Sequence, residues 1–285
     1  MSQITPQMVK ELREKTGAGM GDCKQALTDS NGDMQEAIEI LRKKGAASAA
    51  KRADRAANEG LVVTRTSPDG KVAAMVEICC ETDFVSRNAE FEKYANNVGD
   101  ALFANKPANH DELMALKVNS DTVQGLHNEI LAKFSERIEV RKFAKLETEG
   151  YVEAYIHAGS KLGVLLEVSC ANPSDKSKLL IRDITMQIAA MNPQFIDRSI
   201  VSPEQIAKEI EIYKEMAINE GKKPDIAERI ATGRLEKFFQ EQCLVEQVFV
   251  KDSSKTIKDV VKEISGDMGQ EVKVNKFLRF FLGEA

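Results

Sequence analysis

Hydrophobic residues recur along this chain at two periods, and the change from one to the other marks out its parts. Over residues 5–47 the spacing is helical. Thr5 is an N-cap residue with Pro6 at the first helical position, Val9 and Leu12 supply an apolar face, and Gly17 and Gly19 end the helix. A second short helix is expected over residues 22–28, and a third opens with a reciprocal capping pair, Asp33 and Glu36, ahead of Ala37, Ile38 and Leu41. Together these make a compact three-helix unit. The following stretch, GAASAAKRADRAANEG, is alanine-rich and charged but carries no apolar stripe, so a solvated linker, helical in part, is expected there.

Beyond the linker the period becomes two, and the pattern occurs twice. Residues 59–80 lie over residues 149–170 at a constant offset of ninety with no gap. Glu59 and Gly60 fall on Glu149 and Gly150, Lys71 on Lys161, Glu77 on Glu167 and Cys80 on Cys170, and apolar positions 72, 74, 76 and 78 match 162, 164, 166 and 168. In each copy two β-rich runs flank a glycine-containing turn, SPDG or HAGS, which predicts a hairpin. A helix follows in both, carried by Phe91, Ala95, Val98 and Leu102 in the first copy and by Leu180, Ile184, Ile188 and Met191 in the second. Each copy is therefore expected to be a small α+β unit, an antiparallel sheet against a helix.

The second copy is interrupted. Ser202, Pro203 and Gln205 open a helix bearing Ile206, Ile210, Tyr213 and Ala217; Gly221 stops it, and Ala227, Ala231, Leu235 and Phe238 mark a second helix running back. A hairpin of two helices has little core of its own, so it must pack on its own domain or on a second copy of the chain. The tail EVKVNKFLRFFLGE is expected to be a closing strand. The fold class is α+β, divided into residues 1–55, 56–146, 147–201, 202–243 and 244–285.

Charge and composition narrow the function more than the fold. A chain of 285 residues can bury ample core without staples. Forty basic against forty-five acidic residues leave a net charge of -5, which argues against a dedicated nucleic-acid binder and makes another protein the default partner. Arg42, Lys43, Lys44, Lys51, Arg52 and Arg55 lack interleaved aromatics and are expected to be a solvated charged face. The beginning of the chain has no basic lead or apolar block, and the most apolar run, VAAMVEICC, is too short to span a bilayer, so a soluble cytoplasmic protein is expected. Five scattered cysteines without a C-x-x-C pattern fit reduced thiols, with Cys79 and Cys80 serving as small hydrophobes. No phosphate-binding loop, dinucleotide fingerprint, nucleophile elbow or zinc-protease motif is present, and the three histidines are isolated. Neither catalysis nor a cofactor or metal is implied.

The informative feature is where the two copies diverge. After Cys170 the second copy continues ANPSDK, an ordinary polar loop, whereas after Cys80 the first continues ETDFVSRN. Strand-to-helix connections run over the surface. A phenylalanine there either folds back to staple the next helix or stands out as a contact, and spacing alone leaves both open.

Two stretches, LREKTGAGMGDCKQAL at 12–27 and EICCETDFVSR at 77–87, resemble the elongation factor Ts family, and with the duplicated unit, the YIHAGSKLGVLLE stretch and the inserted hairpin the likeness covers nearly the whole chain. The resemblance implies that residues 1–55 form a module like a ubiquitin-associated domain and that residues 202–243 serve dimerisation. It implies a partner, the translation GTPase elongation factor Tu in its GDP state, from which the protein dislodges Mg²⁺ to speed GDP release. Thr82, Asp83, Phe84 and Val85 match the family's magnesium-disturbing motif, with Phe84 as a wedge. Leu12 and Met20 match contacts of the N-terminal module, and His157 matches a contact of the second unit. Some members continue beyond the equivalent of Ala285 into a further helix, a contact not expected here. A protein or RNA adaptor using the basic linker is the alternative of a different class.

Overall fold

In the computed structural model residues 4–50 and 52–284 are described, apart from the side chains of 46–50; Lys51 lies outside them. Helix α1 (Pro6–Thr16) starts as expected, Thr5 Oγ1 accepting from Met8 N at 3.3 Å, and ends at Gly17 in the left-handed region. Helix α2 (Met20–Asp29) begins two residues before its predicted start because extended Gly19 is the N-cap. Helix α3 (Met34–Ala50) forms half of its predicted capping pair. Asp33 Oδ1 accepts from Glu36 N at 2.8 Å, while the N–H of Asp33 donates to Ser30 O. Leu12, Cys23, Leu27 and Ala37 close the core of the three helices.

The first copy runs β1 (Glu59–Thr66), β2 (Val72–Cys80), α4 (Asp83–Ser86), α5 (Ala89–Ala104), α6 (His110–Ala115), a short ladder of β3 (Lys117–Val118) with β4 (Asp121–Thr122), α7 (Val123–Lys133) and β5 (Ile138–Glu147). The second runs β6 (Tyr151–Ile156), β7 (Leu162–Val168), α8 (Asp175–Met191), α9 (Pro203–Asn219), α10 (Pro224–Gln242), a ribbon of β8 (Val248–Phe249) with β9 (Asp252–Thr256), α11 (Ile257–Met268) and β10 (Val274–Phe281). The expected closing strand is β10. The helical hairpin, α9 and α10, is spliced between α8 and α11.

Each copy makes a three-stranded antiparallel sheet, ordered β1-β2-β5 and β6-β7-β10. The repeat holds at the level of register: Leu61 pairs with Ile78 and Tyr151 with Val168, both partners displaced by ninety. It also reaches the third strands, which sequence comparison had not matched. Ile78 pairs with Val140 and Glu77 with Lys142, leaving Arg141 in a bulge; Val168 pairs with Val274 and Glu167 with Lys276, leaving Asn275 in the same place. Both bulged side chains turn back to the glutamate, Arg141 Nη1 lying 3.6 Å from Glu77 Oε1 and Asn275 Nδ2 donating to Glu167 Oε1 at 3.3 Å.

The two sheets pack face to face through Val62, Met75, Cys79, Leu146, Val152, Leu165 and Phe280. Helices α5 and α7 cover the outer face of the first sheet, and α8 and α11 that of the second, giving four layers. The sheets meet in a pseudo-two-fold manner: Val62 N donates to Ser160 O at 2.7 Å and Val152 N to Gly70 O at 2.8 Å, each donor and acceptor being the repeat of the other. The predicted stripe of α5 is buried throughout. In α8 the predicted Ile184 and Ile188 are buried, but Ile181 takes the inward place expected of Leu180, which is half-buried, and Met191 is exposed.

Two expectations require correction. The linker is not simply solvated: α3 continues into it and docks on α7, where Gly45 approaches so closely that a Cβ would stand 3.1 Å from Ala132 Cα. Its cations are largely paired within the chain. Arg42 binds Glu129, Lys44 meets Asp22 at 2.7 Å, Arg55 meets Glu81 at 3.3 Å, and buried Arg52 donates to Phe134 O and Glu136 O. In the hairpin Phe239, rather than Phe238, is the buried aromatic of α10.

Candidate functional site

The ladder between β2 and β5 ends at the pair Cys80 and Ile138, and the chain beyond Cys80 must satisfy its backbone in another way. Glu136 supplies it. One carboxylate oxygen accepts from Glu81 N at 3.1 Å and Thr82 N at 3.0 Å, and the other accepts from Thr82 Oγ1 at 2.6 Å. In return Glu81 Oε1 accepts from Arg137 N at 2.5 Å. The Cys80 thiol donates to Thr82 O at 3.2 Å; burial, with the nearby Glu136 charge next in importance, pushes that thiol up to about 12, so it keeps its proton.

Held at this end, residues 83–86 make one helical turn, α4, with Ser86 Oγ donating to Asp83 O at 3.1 Å. A single turn sends successive side chains to different sides. Val85 and Ser86 are buried against the first core, whereas Phe84 is 84% exposed. Asp83 pairs with exposed Arg87 at 3.1 Å. Asn88 then caps α5, accepting from Glu90 N at 2.9 Å. The two readings that spacing left open are thereby decided: Phe84 does not staple the helix, and Val85 does the anchoring. In the second copy the equivalent connection is closed by Ser174, which caps α8 and accepts from Ser177 N at 3.1 Å, and no aromatic stands out.

The other predicted residues are dispersed. Met20, at the start of α2, is 51% exposed. Leu12 is fully buried among the three helices, its spacing on α1 pointing it into their core. His157 is exposed beside the second hairpin turn, its Nδ1 at 2.8 Å from the Tyr155 hydroxyl. Among the described residues no hydrogen bond, ion pair or ring contact joins Met20, Phe84 and His157. Glu136 went unnoticed at the level of sequence, and neither Arg52 nor Glu81 was tied to it, because no local pattern joins residues 54 to 84 positions apart.

Phe84 and Met20 are large apolar side chains presented to solvent. The five free cysteines are all buried. Among the described residues no group of His, Cys, Asp and Glu could hold a metal ion, and no helix is long and apolar enough to cross a membrane. A cleft of about 820 Å³ lies between the root of the helical hairpin and the α11–β10 edge, lined by Arg198, Gln240, Glu246 and Lys273 among others; none of the four segment residues belongs to it.

Comparison with known proteins gives one consistent result. A family model described as Elongation factor TS matches residues 81–284. The chain is 45% identical over its full length to the whole of Elongation factor Ts from Chloroherpeton thalassium. It is 45% identical to that of Clostridium kluyveri and 46% to that of Clostridium perfringens, each over 99% of this chain and 93% of the relative. The family model takes in the Glu136-held segment, the second sheet and the spliced hairpin, the full-length relatives cover both sheets, and the chain belongs to the elongation factor Ts family of translation elongation factors.

Proposed function

We propose that this protein is a guanine nucleotide exchange factor of the cytoplasm, which binds elongation factor Tu in its GDP state, disturbs its Mg²⁺ site and lets GDP leave so that GTP can enter. The observation that carries this is Phe84, a large apolar side chain 84% exposed on a segment otherwise anchored by Val85, Ser86 and Glu136. Mg²⁺ held by phosphates and few protein ligands demands near-ideal octahedral geometry, so a small displacement of the helices around it is costly. An aromatic wedge supplies that displacement, and Asp83 beside it, paired with exposed Arg87, is available to polar groups of the partner.

Burying one phenylalanine supplies roughly 1.5–3 kcal/mol, and each tenfold in release rate needs about 1.4 kcal/mol. Phe84 therefore accounts for one to two decades, and the remaining binding energy comes from separate surfaces: Met20 on the N-terminal module and His157 on the second unit. Linkage requires the nucleotide to weaken binding of this protein by the factor with which this protein weakens the nucleotide, so GTP expels the exchanger and no covalent step is involved. Exposed Ile212, Met216, Ile218 and Ile226 on the helical hairpin support its pairing with a second copy, which sedimentation of the intact chain would detect.

The deciding experiment follows release of fluorescent GDP from the cognate GTPase with and without this protein. Acceleration is expected; an unchanged release rate overturns the reading.

A further inference from the structure

We infer that Glu136 is a positioning residue for exchange: it sets the direction in which Phe84 points, and so governs how effectively the bound protein acts rather than how tightly it binds. The inference rests on the exchange reading above. Its ground is the arrangement at the end of the β2–β5 ladder, where the strands part and a single carboxylate takes over, receiving two successive backbone N–H groups and the Thr82 hydroxyl. Charge-assisted hydrogen bonds of this kind are the strong ones, and a bidentate set also fixes orientation. Phe84 follows two residues later.

Glu136 is itself fixed. Its carbonyl accepts from the buried Arg52 guanidinium at 2.7 Å, and the neighbouring Arg137 N–H is held by Glu81. The segment is thus referenced both to β5 and to the linker of the N-terminal module.

The second copy separates this role from a merely structural one. Its third strand repeats the first copy's at an offset of 134, Val140 onto Val274 and Lys142 onto Lys276, which puts Gln270 in the place of Glu136. Its connecting residues Ala171 and Asn172 stand in the place of Glu81 and Thr82. Among the described residues no hydrogen bond joins Gln270 to either. The same sheet is built without the clamp, and the clamp occurs only where an aromatic is presented. Ordering a side chain before association removes that cost from the bound state.

The test uses Glu136→Ala, with Glu136→Gln and Thr82→Val as milder changes that keep the size of the site should the first fail to fold. Exchange on the partner GTPase is measured across factor concentration. For Glu136→Ala the maximal rate is expected to fall about tenfold while the half-saturating concentration shifts less than about threefold, with smaller falls for the other two. A maximal rate unchanged in the folded variants, or a loss confined to the half-saturating concentration, overturns the inference.

A second arm needs no partner. The chain contains no tryptophan, so Phe84→Trp creates a single reporter at the tip. Adding Glu136→Gln to it is expected to lower the fluorescence anisotropy of that reporter without moving the thermal midpoint by more than a few degrees, and unchanged anisotropy counts against the clamp. If the unsubstituted protein fails to speed GDP release, the exchange reading falls, while the anisotropy still decides whether Glu136 holds the segment.

Discussion

Gly163 lies against Val62 where the two sheets cross, so close that a Cβ at position 163 would stand 2.6 Å from Val62 Cγ1 and 2.8 Å from Met75 Sδ. The separation of the sheets is therefore set by a missing methyl group. Its repeat partner in the first sheet, Ala73, is also small and fully buried. Gly163→Ala is expected to destabilise the protein by about 1–3 kcal/mol, the usual cost of overpacking a close-packed interior, read as a lower urea midpoint at unchanged slope.

Phe84→Ala separates function from stability. An exposed side chain contributes little to folding, so the unfolding free energy should stay within about 0.5 kcal/mol. GDP release should slow by about ten- to a hundredfold at equal occupancy of the partner. A stopped-flow comparison with the unsubstituted chain checks both halves.

Leu12 and Met20 should behave as opposites. Leu12→Ala opens a cavity among three short helices and is expected to cost about 2–5 kcal/mol locally, visible as lost hydrogen-exchange protection in residues 6–44 with the sheets unaffected. Met20→Ala should leave that protection intact and raise the half-saturating concentration for exchange several-fold.

Glu77 predicts a pH dependence. Its side chain is fully buried, accepts from the Cys79 thiol at 3.3 Å through one oxygen and has no hydrogen-bond partner at the other. Burial holds its carboxyl above the usual carboxylate range, against the lowering influence of the Cys79 hydrogen bond and of Lys142 and Arg141. The folded state thus binds this proton more readily than the unfolded chain; the associated stability is complete below the unfolded pKa and is lost as pH rises through the raised one. Glu77→Gln should raise the thermal midpoint at neutral pH by about 2–4 °C, equivalent to about 1 kcal/mol, and the gain should disappear near pH 4.

Thiol chemistry gives a direct check on burial. Cys80 is pushed up to about 12 and Cys79 is raised too, by burial first and by Glu77 next. A colorimetric disulfide reagent at pH 8 should find almost no reactive thiol in the native protein and five in urea.

What could be read from the sequence was what neighbouring residues decide. Thr5 and Ser202 cap the helices they were expected to cap, and the offset of ninety predicted two hairpins whose register then agreed residue for residue. Phe84 was recognisable as the point of divergence but not as exposed, because that depends on Val85 taking the inward position. Of the third strands only the closing one was expected; β5, and its relation to β10, escaped notice because the helices and the spliced hairpin put the two at a different offset. Face-to-face packing of the sheets, the docking of α3 on α7 and the Glu136 clamp all join residues far apart in the chain, and no periodicity reports such contacts.

The paired bonds from Val62 to Ser160 and from Val152 to Gly70 have a further consequence. Two identical chains meeting about an axis would make this same reciprocal contact, and anything added to one would appear on the other. Joined in a single polypeptide, the halves are released from that obligation. Only one of them carries the exposed aromatic tip, on a body whose frame remains that of a pair.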